Sequence, residues 1–191
     1  MAILSSETRY FRFFTAAAQF SDHELRYFTE VDQHNHVAWI ALDSSNPNHP
    51  GLGVARFIRT NEEPTIAEMA FVVIDAYQGR GLGTMLLAVL YLMAQARDVQ
   101  VLQANVLGEN TRVSNWLRNL GAAGTFDRGE YRLDLTVHRD PALLSRTPAG
   151  ENFKRAIEAA QTAIFHNDSP DNLPPALWDN VPNGRETNAR S

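Results

Sequence analysis

Apolar and polar residues follow one another along this chain in short blocks that predict strands with helices between them. Residues 37–42 and 53–58 are short apolar runs joined by a loop dense in turn formers, which is typical of neighbouring strands. Residues 69–74 are continuously apolar and rich in β-branched and aromatic side chains, as in a strand buried on both faces. A glycine-containing loop ends this run, and residues 84–94 then continue with good helix formers. The middle of the chain is therefore predicted to be strand, glycine loop, helix.

The other blocks extend this pattern to an α+β fold, a mostly antiparallel sheet with helices inserted. The remaining predicted elements are a first strand at 9–14, a capped helix at 22–29, a strand at 99–106, a helix from Asn110, a hairpin of 123–126 and 130–137, and an amphipathic helix at 152–165. We expect one domain over residues 1–140, a helical extension over 141–166, and a tail over 167–191 that is rich in Pro and Asn. This tail is expected to be disordered or docked only through Leu177, Trp178 and Val181.

Composition narrows the class of protein. The 191 residues are 44% hydrophobic, which is enough for one sizeable core. The net charge of −5 and the pI near 5.6 argue against a nucleic-acid-binding protein. The absence of cysteine excludes disulfides, thiolate metal sites and a cysteine nucleophile. No run reaches the roughly 18 to 20 apolar residues of a membrane span and no convincing signal peptide is present, so we expect a soluble cytoplasmic protein.

The loop after residue 74 contains Gly79, Gly81 and Gly83 and opens a helix. In such a loop several unpaired backbone N–H groups point in the same direction at the N-terminus of the helix. The helix dipole adds about half a positive charge there, so this kind of loop binds phosphate. A Walker A loop is excluded because Thr84 stands where Lys is needed. The dinucleotide fingerprint G-x-G-x-x-G fails because Thr84 also occupies its third glycine position. What remains is Q-x-x-G-x-G, which begins at Gln78.

This pattern resembles the acyl-CoA pyrophosphate loop of the GNAT superfamily of N-acetyltransferases, [QR]-x-x-G-x-[GA] between a strand and a helix. The match extends in both directions along the chain. Glu68 lies ten residues before Gln78, at the strand position where many GNAT enzymes carry a general base. Asn110 opens a helix that ends at Gly121, similar to the family's second motif. The resemblance implies the GNAT fold, a mixed, mostly antiparallel twisted sheet with helices on both faces.

The base is needed because only about one part in 10³ of a lysine amine is unprotonated at pH 7. The resemblance implies that Glu68 takes the proton of the attacking amine. It is a lone carboxylate in an otherwise apolar strand, where we expect it to be desolvated. The alternative is that Glu68 lies at the solvated edge of the strand or pairs with an arginine such as Arg56.

The resemblance also implies which residues bind acetyl-CoA, the acyl donor. Backbone N–H groups near Phe71, Val72 and Val73, splayed by a β-bulge, would receive the acetyl oxygen and the pantetheine amides. The pyrophosphate ligands would be Gln78, Gly79, Arg80, Gly81, Gly83 and Thr84. The alternative for these residues is an ordinary strand-to-helix turn.

The second motif contains both a match and a departure. Asn110 is expected to contact CoA, although an Asn at this position can equally cap the helix without any ligand. Many GNAT enzymes have a Tyr seven residues later as general acid for the departing thiolate, and Leu117 occupies that position here. Trp116 cannot donate a useful proton. Solvent could protonate the thiolate, with Tyr77 and Tyr131 as possible substitutes.

The sequence therefore predicts an acetyl-CoA-dependent N-acetyltransferase that acts by direct attack in a ternary complex. A protein lysine is the favoured acceptor, because the N-terminal third resembles the catalytic domain of bacterial protein lysine acetyltransferases; small amines stay open. Two other classes remain, a non-catalytic acyl-CoA sensor and a domain that only mediates protein contacts. We expect no metal site, since His34 and His36 have no further ligand at a telling spacing. A homodimer is possible, and neither nucleic acid nor membrane is expected as a partner.

Overall fold

The computed structural model describes residues 4–13, 26, 29–60 and 62–165 of the chain. Its strands are β1 (His36–Leu42), β2 (Gly51–Arg59), β3 (Ile66–Val73), β4 (Val101–Leu107), β5 (Ala123–Asp127) and β6 (Glu130–Thr136). Its helices are α1 (Ser6–Phe13), α2 (Leu82–Gln95), α3 (Thr111–Asn119) and α4 (Pro148–Phe165), with short 3₁₀ turns at Asp75–Tyr77 and Pro141–Leu143. Within these residues, no helix combines the length and the apolar character needed to cross a membrane.

The six strands form one mixed sheet in the order β1-β2-β3-β4-β6-β5. Every neighbouring pair is antiparallel except β3 and β4, which run parallel. The chain makes the parallel pair by crossing over through α2 between the two strands. This arrangement confirms the predicted α+β class and the closing hairpin of β5 and β6.

The parallel pair is short, and this shapes the centre of the sheet. β3 and β4 pair only at Ile66↔Val101, Ala67↔Leu102 and Glu68↔Gln103, although both strands continue beyond the last of these rungs. β3 stays in unbroken register with β2 up to Val73, and β4 stays paired with β6 up to Leu107. The two halves of the sheet therefore separate after Glu68. The bulge in β3 implied by the resemblance is absent from its ladder with β2, so the split arises where pairing with β4 stops.

Helix α2 supplies the centre of the core. Its buried residues pack on strands β1 to β3 and against α4, where the rings of Tyr91 and Phe153 meet edge to face at 5.4 Å. Phe153, Ile157 and Ala160 recur at helical spacing and are all buried. The amphipathic helix predicted at 152–165 is confirmed, although α4 begins earlier, at Pro148.

The strand predicted at 9–14 is wrong, because these residues belong mostly to helix α1. Ser5 caps this helix, since its hydroxyl oxygen accepts a hydrogen bond from the Thr8 N–H at 3.1 Å. The short alternation of apolar and basic residues is compatible with a strand. The capping serine before it indicates a helix instead. The helix predicted at 22–29 lies outside the described residues except for Arg26 and Thr29, which are helical, and the tail at 167–191 lies outside them entirely.

Candidate functional site

A cavity of about 650 Å³ occupies the gap between β3 and β4. Its walls come from five parts of the chain: β3 from Glu68 onward, the glycine loop, the central part of β4, the start of α3, and one face of α1. Of the residues predicted from sequence, it is lined by Glu68, Phe71, Val72, Val73, Gln78, Gly79, Gly81, Gly83, Thr84 and Asn110. Arg80 is the exception, because its guanidinium is exposed and stands over the ring of Tyr77, 5.1 Å from the centroid.

The main chain of β3 presents two N–H groups to this gap. The N–H of Ile74 donates to the carbonyl oxygen of Leu52 at 3.0 Å, on the β2 side. Because N–H directions alternate along a strand and the register is unbroken, the N–H of Val72 also faces β2. The N–H groups of Phe71 and Val73 therefore face the opposite side, where β4 no longer pairs. Phe71 and Val73 thus offer main-chain donors to the cavity, and Val72 does not.

The glycine loop offers further donors at the start of α2. Gly79 and Gly81 have φ angles of 72° and 87°, a left-handed conformation that other residues rarely adopt. Gly81 is the N-cap of α2, so the N–H groups of the next three residues have no partner within the helix. A side chain at Gly81 would meet no atom within 4 Å, which shows that glycine is needed there for its backbone angle. The loop is therefore suited to an anion.

The side chain of Gln78 ties the loop to three other elements. Its Nε2 donates to the carbonyl oxygen of Val73 at 3.1 Å and to the hydroxyl of Thr8 on α1 at 3.2 Å. Its Oε1 accepts from Nη1 of Arg112 on α3, also at 3.2 Å. All three partner residues line the cavity, so this one amide joins the loop to β3, α1 and α3. In this arrangement the Gln78 side chain is a structural link rather than a free ligand.

Arg112 is a candidate site residue that the sequence analysis did not identify. It lies in the first turn of α3, and its Nη2 stands 3.5 Å from where a Cβ on Gly79 would be. It is the one basic side chain among the described residues that line the cavity. The sequence contained a sign of this role: Arg112 follows the helix-capping Asn110 by two residues, so it lies in the first turn of α3. An arginine in that turn can reach the glycine loop, as its hydrogen bond to Gln78 shows. The N–H groups of the loop and the guanidinium of Arg112 therefore lie together at the cavity, whose lining also includes the carboxylates of Asp75 and Glu109.

The start of α3 also faces the cavity. The Oδ1 of Asn110 accepts from the N–H of Val113 at 3.2 Å, so the helix-capping alternative is confirmed, and Asn110 lines the cavity as well. Leu117 is fully buried, whereas Trp116 lines the cavity with its ring edge to face with Phe71 at 5.3 Å. Neither tyrosine suggested as a substitute general acid is among the lining residues.

Glu68 lines the cavity where the gap begins, on the last rung between β3 and β4. Its side chain is exposed, so the expected desolvation is wrong. Among the described residues it forms no ion pair. Arg56, its suggested partner, is buried, and its Nη1 lies 3.4 Å from Nε2 of His36. A solvated carboxylate at the end of the gap can exchange protons with water and with a bound amine.

Helix α1 is held over the loop by one carboxylate. Asp75 accepts hydrogen bonds from the N–H and hydroxyl of Ser5, both at 2.9 Å, and from the hydroxyl of Thr8 at 2.7 Å. The Ser5 N–H and the Thr8 hydroxyl lower the pKa of Asp75 below its usual value by stabilising the ionised form. This anchoring brings Glu7, Thr8 and Phe11 to the cavity wall. No group of three potential ligands in the described part of the chain is placed to hold a metal ion.

Comparison with known proteins matches residues 2–122 to the family model of the Acetyltransferase (GNAT) family. Acetyltransferase Pat of Mycolicibacterium smegmatis is 37% identical over 118 residues, which make up 62% of this chain and 34% of that protein. The chain thus spans about a third of the length of this curated relative.

Solved structures agree with this match. The GNAT domain of PAT from S. lividans superimposes with a TM-score of 0.64 at 27% identity, over 70% of this chain and 78% of that one. A cAMP-binding acyltransferase from Mycobacterium smegmatis gives a TM-score of 0.53 at 28% identity, over 83% of this chain and 50% of that one.

Proposed function

This chain belongs to the GNAT acetyltransferase family, and from that premise we propose that it transfers the acetyl group of acetyl-CoA to an amine, with a lysine of a cytoplasmic protein as the acceptor. One observation carries the proposal. A single cavity is lined both by the glycine loop and Arg112, which suit an anion, and by the carboxylate of Glu68, where the gap between β3 and β4 begins. A phosphorylated acyl donor and a proton acceptor for the amine therefore share one space.

The residues present fit acetyl-CoA. The left-handed Gly79 and Gly81 and the open N-terminus of α2 suit the pyrophosphate, and Arg112 adds a charge at the same place. The N–H groups of Phe71 and Val73 suit the amides of the pantetheine arm and the thioester oxygen, because they face the gap without a partner on β4. When bound, acetyl-CoA supplies an activated acyl group on a thiol leaving group.

The chain's own groups then account for the transfer. Glu68 takes a proton from the acceptor ammonium, directly or through a water, and leaves a nitrogen lone pair to attack the thioester carbon. The bond from nitrogen to carbon forms as the bond from carbon to sulfur breaks. Main-chain N–H groups of β3 stabilise the negative charge that develops on the carbonyl oxygen. Because neither tyrosine lines the cavity, solvent takes the second proton that the nitrogen loses on forming the amide and protonates the departing thiolate.

A lysine acceptor is supported by two features. The first is the resemblance of the N-terminal third to the catalytic domain of protein lysine acetyltransferases. The second is that Glu68 lines the cavity, where a carboxylate favours a cationic amine over an anionic acceptor.

The experiment compares Glu68→Gln with Glu63→Gln, an exposed carboxylate just before β3 that does not line the cavity. CoA binding is measured by calorimetry, and acetyl transfer is measured with lysine-bearing proteins and small amines. We expect the wild type and both variants to bind CoA alike, with a loss of about 10²-fold in kcat for Glu68→Gln alone. CoA binding without transfer by the wild type would favour an acyl-CoA sensor, and no CoA binding would refute the function assigned to the loop.

A further inference from the structure

Gln103 is a buried polar residue in the middle of the sheet that the proposed reaction does not yet use. It is 8% exposed, and its Nε2 donates to Oδ1 of Asp134 on β6 at 2.8 Å. A buried polar side chain in a strand is costly unless it is hydrogen-bonded, so Asp134 explains how Gln103 is tolerated. It does not explain why an amide is there.

The register places this pair beside Glu68. Glu68 pairs with Gln103 across β3 and β4, and Gln103 pairs with Asp134 across β4 and β6. Register partners project from the same face of a sheet, and neighbouring strands are about 4.8 Å apart. The three side chains therefore form a row roughly 10 Å long with Gln103 in its centre, and the row meets the cavity at Glu68, the member of the three that lines it.

Asp134 decides which end of the Gln103 amide faces Glu68. An ionised carboxylate has no hydrogen to donate, so it can receive only the Nε2 end of the amide. The carbonyl oxygen of Gln103 is thereby turned away from β6, and it accepts no hydrogen bond from any described residue. Arg132, two residues before Asp134 on the same face, is exposed and forms no ion pair with it in the described part of the chain.

The carboxylate of Glu68 and the carbonyl oxygen of Gln103 are thus hydrogen-bond acceptors beside the proposed reaction centre. The N–H group of Gln103 points toward Asp134 instead. A primary ammonium carries three N–H donors and no acceptor, which is the complementary set. We propose that Gln103, oriented by Asp134, receives the ammonium group of the acceptor next to Glu68 and so selects a primary alkylammonium such as a lysine side chain. This inference rests on the proposed function, because it assigns the acceptor side of the same site.

The substitution Asp134→Asn tests the orientation without removing bulk. A side-chain amide in place of this carboxylate could donate as well as accept, so Gln103 would be free to turn its N–H group toward Glu68 and oppose an ammonium there. Initial rates are measured with N-acetyl-lysine amide at saturating acetyl-CoA, and then with acetyl-CoA varied. We expect D134N to raise the KM for the lysine probe about 10-fold, with the KM for acetyl-CoA unchanged. D134E, which restores an obligate acceptor, should return the KM for the probe to within about threefold of the wild type.

D127N is the matched control, because Asp127 is an exposed carboxylate on the same hairpin, 3.7 Å from Arg128, and its register partner is Glu130 and not Gln103. If D134N and D127N give the same KM for the probe, the inference is overturned. A wild type that binds CoA but transfers to other amines and not to the lysine probe also overturns it and removes lysine as the acceptor, while acetyl transfer from acetyl-CoA to an amine stands. A wild type that fails to bind CoA overturns both.

Discussion

Nη1 of Arg112 donates to Oε1 of Gln78 at 3.2 Å, and this bond joins the start of α3 to the glycine loop. The two residues lie on opposite sides of the separation between β3 and β4. The bond uses one of the five N–H groups of the guanidinium, which leaves the others available to a phosphate at the loop.

The first prediction is that Arg112→Ala weakens CoA binding about 10-fold, since a hydrogen bond to a charged group contributes roughly 1.5 to 3 kcal/mol and Arg112 is exposed. The dissociation constant is measured by calorimetry at two salt concentrations. Arg118→Ala is the control, because Arg118 lies on the same helix, stacks on Tyr131 at 4.3 Å and does not line the cavity. Equal affinity in the two variants would remove Arg112 from the cofactor site.

The second prediction concerns the anchor of α1. Hydrogen bonds from Ser5 and Thr8 lower the pKa of Asp75, so the ionised carboxylate is the form that holds the helix. A lowered pKa in the folded state means that this contribution is complete above the unshifted value of 3.8 and is lost as the pH falls below it. Hydrogen exchange of residues 6–13, corrected for intrinsic rates, should therefore show protection at neutral pH that declines below about pH 4.

Asp75→Ala should abolish this protection at every pH. Asp43→Ala serves as its control, because hydrogen bonds from Ser45 also lower the pKa of Asp43, which lies in a surface turn away from α1. If α1 stays protected in Asp75→Ala, other contacts hold the helix.

The part of the site that the sequence predicted is local in the chain. The strand, the glycine loop and the helix after it are contiguous, and each has a signal of a few residues: a β-branched run, glycines at 79 and 81, and good helix formers. The helix cap at Asn110 is local in the same sense, because its Oδ1 accepts a hydrogen bond from Val113, which is three residues later in the chain. These elements were therefore predictable without knowing the fold.

What was missed depends on contacts between distant parts of the chain. The hydroxyl of Thr8 meets the Gln78 amide 70 residues away, and α1 reaches the cavity only through such contacts. The exposure of Glu68 depends on where the pairing of β3 with β4 stops, which no pattern within β3 encodes. The resemblance implied a bulge in β3 to open the sheet, whereas the separation follows from the short parallel pairing.

The third prediction tests the close approach of β2 to β3. A Cβ on Gly53 would lie 2.8 Å from the carbonyl oxygen of Val72 and 3.1 Å from Cδ1 of Leu86, so Gly53→Ala must displace β3 or α2. Overpacking of this kind costs about 1 to 3 kcal/mol, or roughly 2 to 12 °C in Tm for a chain of this size. CoA affinity should fall too, because β3 carries the donors at Phe71 and Val73. Gly51→Ala on the same strand meets no atom within 4 Å and should match the wild type in both measurements.

The fourth prediction separates the two roles of Asn110. Its Oδ1 caps α3 and its side chain borders the cavity, so Asn110→Ala should lower both stability, by about 0.5 to 2 kcal/mol, and CoA affinity. Asn110→Ser keeps a capping oxygen but is too short to reach far into the cavity. We therefore expect the serine variant to unfold within about 2 °C of the wild type while binding CoA about fivefold more weakly. Thermal unfolding and calorimetry on the same samples give both quantities. A serine variant with full affinity would show that the cap alone explains Asn110.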